Sequence, residues 1–286
     1  MISVVIPAFN EEGAIADTIQ TVRAMCEGAG IEDLDLVVVD DGSTDKTGEE
    51  AAACGACVVR HPHNAGYGKS LKDGIAAARH DTIVITDADG TYPIEAVPSL
   101  LETYRRGFDM VVGARTGRVY EGSRLKSALR LLLRFLVEYT TGRKIPDINS
   151  GLRVFSRATI MPYFSHLGNS FSFTTSITLA YFMTGRYIAY VPVSYQNRIG
   201  SSKVHLFRDA MRTLQFIIEA ILYYNPLKLF LLLSGLCLVA AVISLAVGVG
   251  FGLLGGLVLG TGFVLLSVLV FGLGLQAVLL KHIMDK

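Results

Sequence analysis

The chain has 286 residues, with 26 Lys and Arg against 25 Asp and Glu, for a formal net charge of +1. That balance excludes a strongly basic nucleic-acid binder and an acidic solvating tail. The length accommodates one large domain and a smaller appendage.

In chain order, Ile2 to Pro7 is a short apolar run that predicts a strand, and Glu11 to Glu27 a helix. The pattern then repeats. Strands are expected over Leu34 to Asp40, Ala56 to Arg60, Thr82 to Asp87 and Met110 to Arg115. Helices are expected over Asp45 to Cys54, Tyr67 to Arg79 and Pro93 to Arg106. Strands that are apolar throughout, alternating with helices, predict a mostly parallel α/β sheet covered on both faces. Ligands of such sheets bind beyond the carboxyl ends of the strands. The polar residues that fall there are Asn10, Glu11, Asp40, Asp41, Asp87, Asp89 and Arg115.

Ser123 to Tyr139 reads as a basic amphipathic helix, with Lys126, Arg130 and Arg134 on one side and Leu125, Leu129, Leu132, Leu133 and Leu136 as an apolar stripe. Such a helix lies either on a core or in a membrane interface. Arg208 to Tyr224 is similar, with apolar Phe216, Ile217 and Ile221 behind Arg208 and Arg212. From Leu229 to Leu280 there is no Asp, Glu, Lys, Arg or His. A bilayer core of about 30 Å takes about 20 helical residues, so this tract predicts two transmembrane helices, with glycines between Gly248 and Gly262 marking the turn. Lys203, Arg208, Arg212 and Lys228 precede the first span, and Lys281 and Lys286 follow the second. The positive-inside rule then puts both termini and the first 228 residues in the cytoplasm, at an inner membrane crossed more than once. Met1-Ile2-Ser3-Val4 has no charged region or cleavage site of a signal peptide.

Asp87-Ala88-Asp89 is the strongest chemical signal. Two carboxylates behind a buried strand are costly unless something positive sits between them. Mg²⁺ or Mn²⁺, sharing its shell with a diphosphate, suits hard oxygen donors; a strand-end turn uses the same residue types. Asp40 and Asp41 end another strand, ahead of the helix-capping run Ser43, Thr44, Asp45. Asp40 is placed there to accept hydrogen bonds from a nucleobase imide or a ribose. Three other signals are weaker. Gly68-Lys69-Ser70 looks like the end of a P-loop, but His63 stands where the first glycine belongs. His61 and His63 flank Pro62 and could ligate a metal, but a solvated turn is the expectation. Cys54 and Cys57 have redox spacing but straddle a helix end and a strand start, so they are expected to be small buried residues.

Pro7-Ala8-Phe9-Asn10-Glu11, Asp40-Asp41 and Asp87-Ala88-Asp89 together resemble the nucleotide-sugar half of glycosyltransferase family 2, the inverting enzymes with a GT-A (Rossmann-like) fold. Ser150 to Phe155 and Asn197 to Lys203 resemble segments of dolichol-phosphate mannose synthases and bacterial polyprenyl-phosphate glycosyltransferases. The resemblance covers nearly the whole chain. It implies a cytosolic GT-A catalytic domain over 1–202 with an interfacial helix at 123–140, a juxtamembrane helix at 203–226 and a transmembrane hairpin at 227–282. It implies transfer of a sugar from a UDP- or GDP-linked donor to undecaprenyl or dolichyl phosphate. Pro7, Phe9, Glu11, Asp40, Asp41, Asp87, Ala88, Asp89, Arg198 and Lys203 would meet the nucleotide sugar. Asp87 and Asp89 would hold Mg²⁺ or Mn²⁺, with Arg198 completing the catalytic set. Arg115, Arg124 and Ser127 would receive the lipid phosphate. Two departures stand out. Thr91 occupies a position where several dolichol-type members carry Gln, and Phe173-Thr174-Thr175-Ser176 has hydroxyls where many members have carboxylates. The alternatives are a processive polysaccharide synthase, against which the absence of Trp and the two spans argue, and a non-catalytic membrane adaptor. Gly252, Gly256 and Gly260, four residues apart, allow either a homo-oligomer through close helix approach or a tight hairpin within the chain.

Overall fold

The computed structural model describes residues 1–116, 124–195 and 206–284. The chain divides into two compact units, Met1–Phe216 and Ile217–Lys286.

The first unit is built on β1 (Ile2–Ala8), α1 (Ile15–Gly28), β2 (Leu34–Asp40), α2 (Thr47–Ala53), β3 (Cys57–Arg60), α3 (Tyr67–Ala77) and β4 (Thr82–Ile85). It continues with α4 (Val97–Arg105), β5 (Met110–Thr116), α5 (Arg124–Thr141), β6 (Arg153–Ser156), α6 (Arg157–Ile160), α7 (Phe173–Met183) and β7 (Ile188–Ser194). The seven strands lie in the order β3-β2-β1-β4-β6-β5-β7. All neighbours are parallel except β6, which runs antiparallel to both β4 and β5. The chain builds outward from β1 through β2 to β3, then returns to place β4 on the other side of β1. That reversal opens a crevice at the carboxyl ends of β1 and β4, where open α/β sheets receive ligands.

Every residue of β1 is buried, and its register pairs Ala8 with Asp40 at the strand tips. Val4, Ile6, Leu36, Val38 and Val84 join Ile15, Ile19, Val22, Leu100 and Leu101 in the core on one face. On the other face α3 sits directly on the sheet. A Cβ on Gly74 would collide with Val5 and Val39, so only glycine permits this approach.

The five strands expected from sequence are present. β6, β7 and α7 complete the unit beyond those expectations; β6 has four residues and is set by pairing on both sides. The first helix starts at Ile15 and not at Glu11, since Asn10 has φ 53° and residues 11–14 form a turn. Among the described side chains of α5, Leu133, Val137 and Thr140 are buried, while Leu131 and Phe135 are exposed. Of the expected stripe, Leu133 is buried and Leu136 half-buried, while Leu125, Leu129 and Leu132 lie outside the described side chains. Cys54 is half-buried and Cys57 exposed, which corrects the expectation that both are buried.

The second unit holds the end of α8 (Leu206–Tyr224), then α9 (Pro226–Phe251) and α10 (Leu254–Met284). The last two are long and apolar enough to cross a membrane. Their outward side chains, such as Val249 at 74% and Leu254 at 74%, are exposed, unlike those of a core helix in a soluble protein. Gly252, with φ 65°, makes the turn. Gly248 and Gly256 face each other so closely that a Cβ on Gly256 would lie 2.7 Å from the Gly248 Cα, and Gly260 lies against Leu245. Ser244 Oγ donates to the Gly256 carbonyl (2.9 Å) and Ser267 Oγ to the Ser234 carbonyl (3.0 Å). Gly252, Gly256 and Gly260 are thus used inside the hairpin. Lys281 Nζ donates to the Tyr224 carbonyl at the end of α8 (2.6 Å), where a cation meets the negative end of the helix dipole.

Candidate active site

The ends of β1, β2 and β4 supply the polar residues of the crevice. The loops after β1 and β2 are zipped together. Asn10 N donates to Ser43 Oγ (3.0 Å), and Asn10 Oδ1 accepts from Thr44 N (2.8 Å). Glu11 N donates to Thr47 Oγ1 (2.8 Å) and Glu12 N to Asp45 Oδ2 (3.2 Å). Asn10 tolerates its left-handed backbone as few non-glycine residues do. Pro7 is buried within β1, and Phe9 and Glu11 are partly buried just beyond it.

Asp40 is 9% exposed at the tip of β2, and its Oδ1 accepts from Ser43 N (3.0 Å). Asp41, its neighbour, is engaged differently. It accepts from Ala65 N (2.8 Å) and Gly66 N (2.9 Å) and pairs with His61 Nδ1 (2.7 Å). Its carboxylate therefore fastens the loop between β3 and α3. His61 Nε2 in turn lies 2.9 Å from Asp73 Oδ2, and Lys69 Nζ lies 2.6 Å from Asp73 Oδ1. The expected solvated turn is corrected for His61, which bridges two carboxylates with a side chain only 10% exposed. The P-loop-like Gly68-Lys69-Ser70 opens α3, with Ser70 Oγ turned back to the Gly66 carbonyl.

Asp87 is partly buried and Asp89 is 5% exposed. Asp87 Oδ1 accepts from Tyr67 Oη (2.9 Å), and Asp89 Oδ1 accepts from Thr91 Oγ1 (2.6 Å) and Thr91 N (3.2 Å). Ala88 between them is buried, its carbonyl accepting from Thr18 Oγ1 (3.1 Å). Burial first, and then the charge of Asp87, pushes the Tyr67 phenol well above its ordinary pKa, so it stays a donor. Gly151 closes the space above Asp87. A Cβ there would lie 2.7 Å from Asp87 Oδ1 and 3.0 Å from Tyr67 Oη. Gly151 N donates to Tyr92 Oη (2.7 Å), whose phenol is pushed up by burial.

Arg115, at the end of β5, is held by Asp147 through Nε (2.7 Å), Nη2 (2.9 Å) and its backbone N (3.1 Å). Its guanidinium also lies over the Tyr195 ring (5.3 Å), which meets Tyr92 edge to face. Burial raises the Asp147 carboxyl, but the hydrogen bonds and charge of Arg115 outweigh it and hold the group below its ordinary range. Arg153 is wholly buried beneath this turn. It donates to the carbonyls of Ser150 (2.8 Å) and Ile148 (2.8 Å) and to Thr178 Oγ1 (2.8 Å). Thr175 Oγ1 donates to Asn149 Oδ1 (2.8 Å), and Ser176 Oγ to the Ser172 carbonyl (2.9 Å).

Asp40, Asp87 and Asp89 thus share one end of the sheet. Arg198 and Lys203 lie outside the described residues, and Arg124 and Ser127 belong to the first turns of α5, whose side chains also lie outside them. The sequence pattern did not single out Tyr92 or Asp147. Tyr67 enters the sequence reading only as the first residue of an expected helix.

Two adjacent carboxylates with glycine backbone above one of them fit a hard divalent cation. Among the described residues no group of three or more His, Cys, Asp and Glu could hold a metal ion. Of such a shell the described residues would supply the Asp pair, leaving the other positions to oxygens from elsewhere, such as substrate and water.

Residues 3–164 match the model of "Glycosyl transferase family 2". The chain belongs to glycosyl transferase family 2. Its relatives include the low-salt glycan biosynthesis hexosyltransferase Agl6 of Haloferax volcanii, 34% identical over 88% of this chain and 64% of that protein. The chain therefore spans just under two thirds of that relative's length. A dolichyl-phosphate hexose transferase of the same organism is 30% identical over 72% of this chain and 87% of its own length. Among solved structures, the glucosyl-3-phosphoglycerate synthase of Mycobacterium tuberculosis, in complex with Mn²⁺, UDP and glucosyl-3-phosphoglycerate, superposes with a TM-score of 0.64 at 25% identity. That likeness covers 77% of this chain and 79% of the other. The mostly parallel sheet, with β6 inserted antiparallel, is the GT-A arrangement of this family 2 member.

Proposed function

We propose that this family 2 enzyme moves a sugar from a UDP- or GDP-linked donor to a polyprenyl phosphate, undecaprenyl or dolichyl, with inversion at the anomeric carbon. The observation that carries the reading is the convergence of Asp40, Asp87 and Asp89 at one sheet end, in a chain that runs on into two membrane-length helices. The two H. volcanii relatives, one a hexosyltransferase and one a dolichyl-phosphate hexose transferase, support it.

Asp40 receives the base or ribose, and Pro7, Phe9, Glu11 and Ala88 line the approach. Asp41 acts by fixing the 61–66 loop beside it. Asp87 and Asp89 would hold Mg²⁺ or Mn²⁺, which when bound supplies Lewis-acid stabilisation of the leaving nucleoside diphosphate. Arg198 and Lys203 clamp the diphosphate with their charges. A phosphate monoester has its second pKa near 6, so most of the acceptor is a dianion at pH 7. It needs orientation and not a strong base. That suits α7, where Thr175 and Ser176 spend their hydroxyls on Asn149 and the Ser172 carbonyl. Arg124 and Ser127 receive the lipid phosphate. Arg115 joins them as a pair with Asp147, shaping the acceptor side with a partly neutralised guanidinium. In this reading residues 1–202 are cytosolic, 203–226 are juxtamembrane, and 227–282 cross the inner membrane twice, with Lys228 and Lys281 on the cytoplasmic side. The exposed Leu131 and Phe135 of α5 dip into the interface, with Arg134 near lipid phosphates.

The test is to incubate membranes carrying the full chain with labelled UDP- and GDP-sugars and a short polyprenyl phosphate. A chloroform-soluble, mild-acid-labile sugar that disappears in Asp89→Asn is expected. A polymeric product would replace this reading with a polysaccharide synthase, and no transfer from any donor would favour an adaptor.

A further inference from the structure

Both carboxylates of the Asp87-Ala88-Asp89 run have one oxygen taken by a neutral hydroxyl. The two hydroxyls come from different parts of the chain. Tyr67 is the first residue of α3, twenty positions before Asp87, and its Oη donates to Asp87 Oδ1 at 2.9 Å. Thr91 follows Asp89 by two residues, is wholly buried, and places both Oγ1 (2.6 Å) and N (3.2 Å) on Asp89 Oδ1. Neither hydroxyl is loose. The Tyr67 ring stacks on Phe171 with centroids 5.4 Å apart and planes 20° off parallel. Its hydroxyl is bounded by Gly151, where a Cβ would come within 3.0 Å of it.

We propose that Tyr67 and Thr91 are positioning residues that set the orientation of the two carboxylates for a divalent cation; the inference rests on the reading of Asp87 and Asp89 as its ligands. The chemistry explains the choice of donor. A carboxylate accepts several hydrogen bonds through its two oxygens, so one hydroxyl fixes its plane without exhausting it. A Lys or Arg in the same place would fix it too, but would also cancel the charge that attracts the cation. A neutral hydroxyl orients the ligand and leaves the charge. Groups of this kind, hydrogen-bonded to metal ligands, commonly set affinity as strongly as a ligand's own geometry does. Tyr67 carries a second consequence. Through it, the position of α3 and of the 61–66 loop fastened by Asp41 reaches the metal-facing carboxylate, so the nucleotide side of the crevice and the cation side share one support.

The experiment uses the full chain in lipid nanodiscs, with Mn²⁺ as the probe, read by the electron paramagnetic resonance signal of free Mn²⁺ with and without UDP. Tyr67→Phe and Thr91→Val should each weaken Mn²⁺ binding by about tenfold or more, the range seen for such partners. Thr91→Ser, which keeps the hydroxyl, should restore it. UDP affinity measured in EDTA should stay at the parental value, which separates positioning from general damage. Parental Mn²⁺ affinity in both hydroxyl-deleted variants would overturn the proposal, as would a Thr91→Ser variant as weak as Thr91→Val. A fall in metal-free UDP binding matching the fall in Mn²⁺ binding would overturn it too. Asp89→Asn separates the two levels. If it loses Mn²⁺ while the hydroxyl variants do not, only the positioning role fails; if it also binds Mn²⁺ like the parent, the metal reading fails with it.

Discussion

Asp147→Asn tests how the acceptor side of the site is held together. In the parent the Asp147 side chain is 1% exposed and takes four donors: Arg115 Nε, Nη2 and N, and Asn149 N. The amide keeps the shape, removes the charge, and turns an NH₂ toward donors that need an acceptor. Removing one partner of a buried ion pair costs about 3–5 kcal/mol. Arg115 keeps 13% of its side chain exposed and rests on Tyr195, so the low end, about 3 kcal/mol, applies here. For a domain of this size each kcal/mol moves the midpoint by about 2–4 °C, so the melt should drop by about 6–12 °C. Because membrane proteins often unfold irreversibly, parent and variant are melted side by side in one detergent at one scan rate. Circular dichroism is the probe, there being no Trp. Arg115→Met in the Asp147→Asn background should recover much of the loss, since it removes the stranded cation. The pH dependence has a definite sign. The Asp147 carboxyl is held below its ordinary pKa in the folded chain, so its contribution is full above the unfolded value of about 4 and is lost as pH falls through the lower folded value. The gap between parent and variant should therefore hold at neutral pH and narrow only below about pH 4. A drop under 2 °C, which is below about 1 kcal/mol, or a double variant no better than the single one, would refute the reasoning.

Three further outcomes follow from the geometry. Gly42→Ala should destabilise by more than about 1 kcal/mol, because φ is +73° and its Cβ would lie 2.6 Å from the His63 carbonyl carbon; a melt at the parental midpoint would contradict this. His61→Ala removes the bridge between Asp41 and Asp73, so amide exchange at Ala65 and Gly66 should speed up and donor KM should rise; unchanged exchange would show that Asp41 holds the loop unaided. Gly248→Leu overpacks the hairpin, where even a Cβ would lie 2.7 Å from Leu257 N, and should cost about 1–3 kcal/mol of thermal stability in detergent.

The sequence announced the site's carboxylates more clearly than it announced their employment. Asp40 and Asp41 look alike as neighbours at a strand end, yet Asp41 accepts two backbone N–H groups from a loop 24 and 25 residues away and pairs with His61, while Asp40 accepts from the turn that follows it. Arg115 looked like a cation awaiting a phosphate; Asp147, 32 residues on, already holds it. Thr91 stands out in the sequence only as a departure from Gln; its hydroxyl donates to Asp89.

What the sequence determined by itself were the features that local periodicity encodes. The apolar runs of β1 to β5, their alternation with helices, the carboxylates at strand tips and the 52 uncharged residues from Leu229 to Leu280 are properties of neighbours along the chain. Only the tertiary structure decided where β6 inserts, that Tyr67 reaches Asp87, that Gly151 roofs it, and that the hairpin glycines meet one another. The physical reason is the same in each case. A hydrogen bond or a close backbone approach depends on which residues packing brings within about 3 Å, and here those partners range from 8 residues apart (Gly248 and Gly256) to 64 (Asp87 and Gly151).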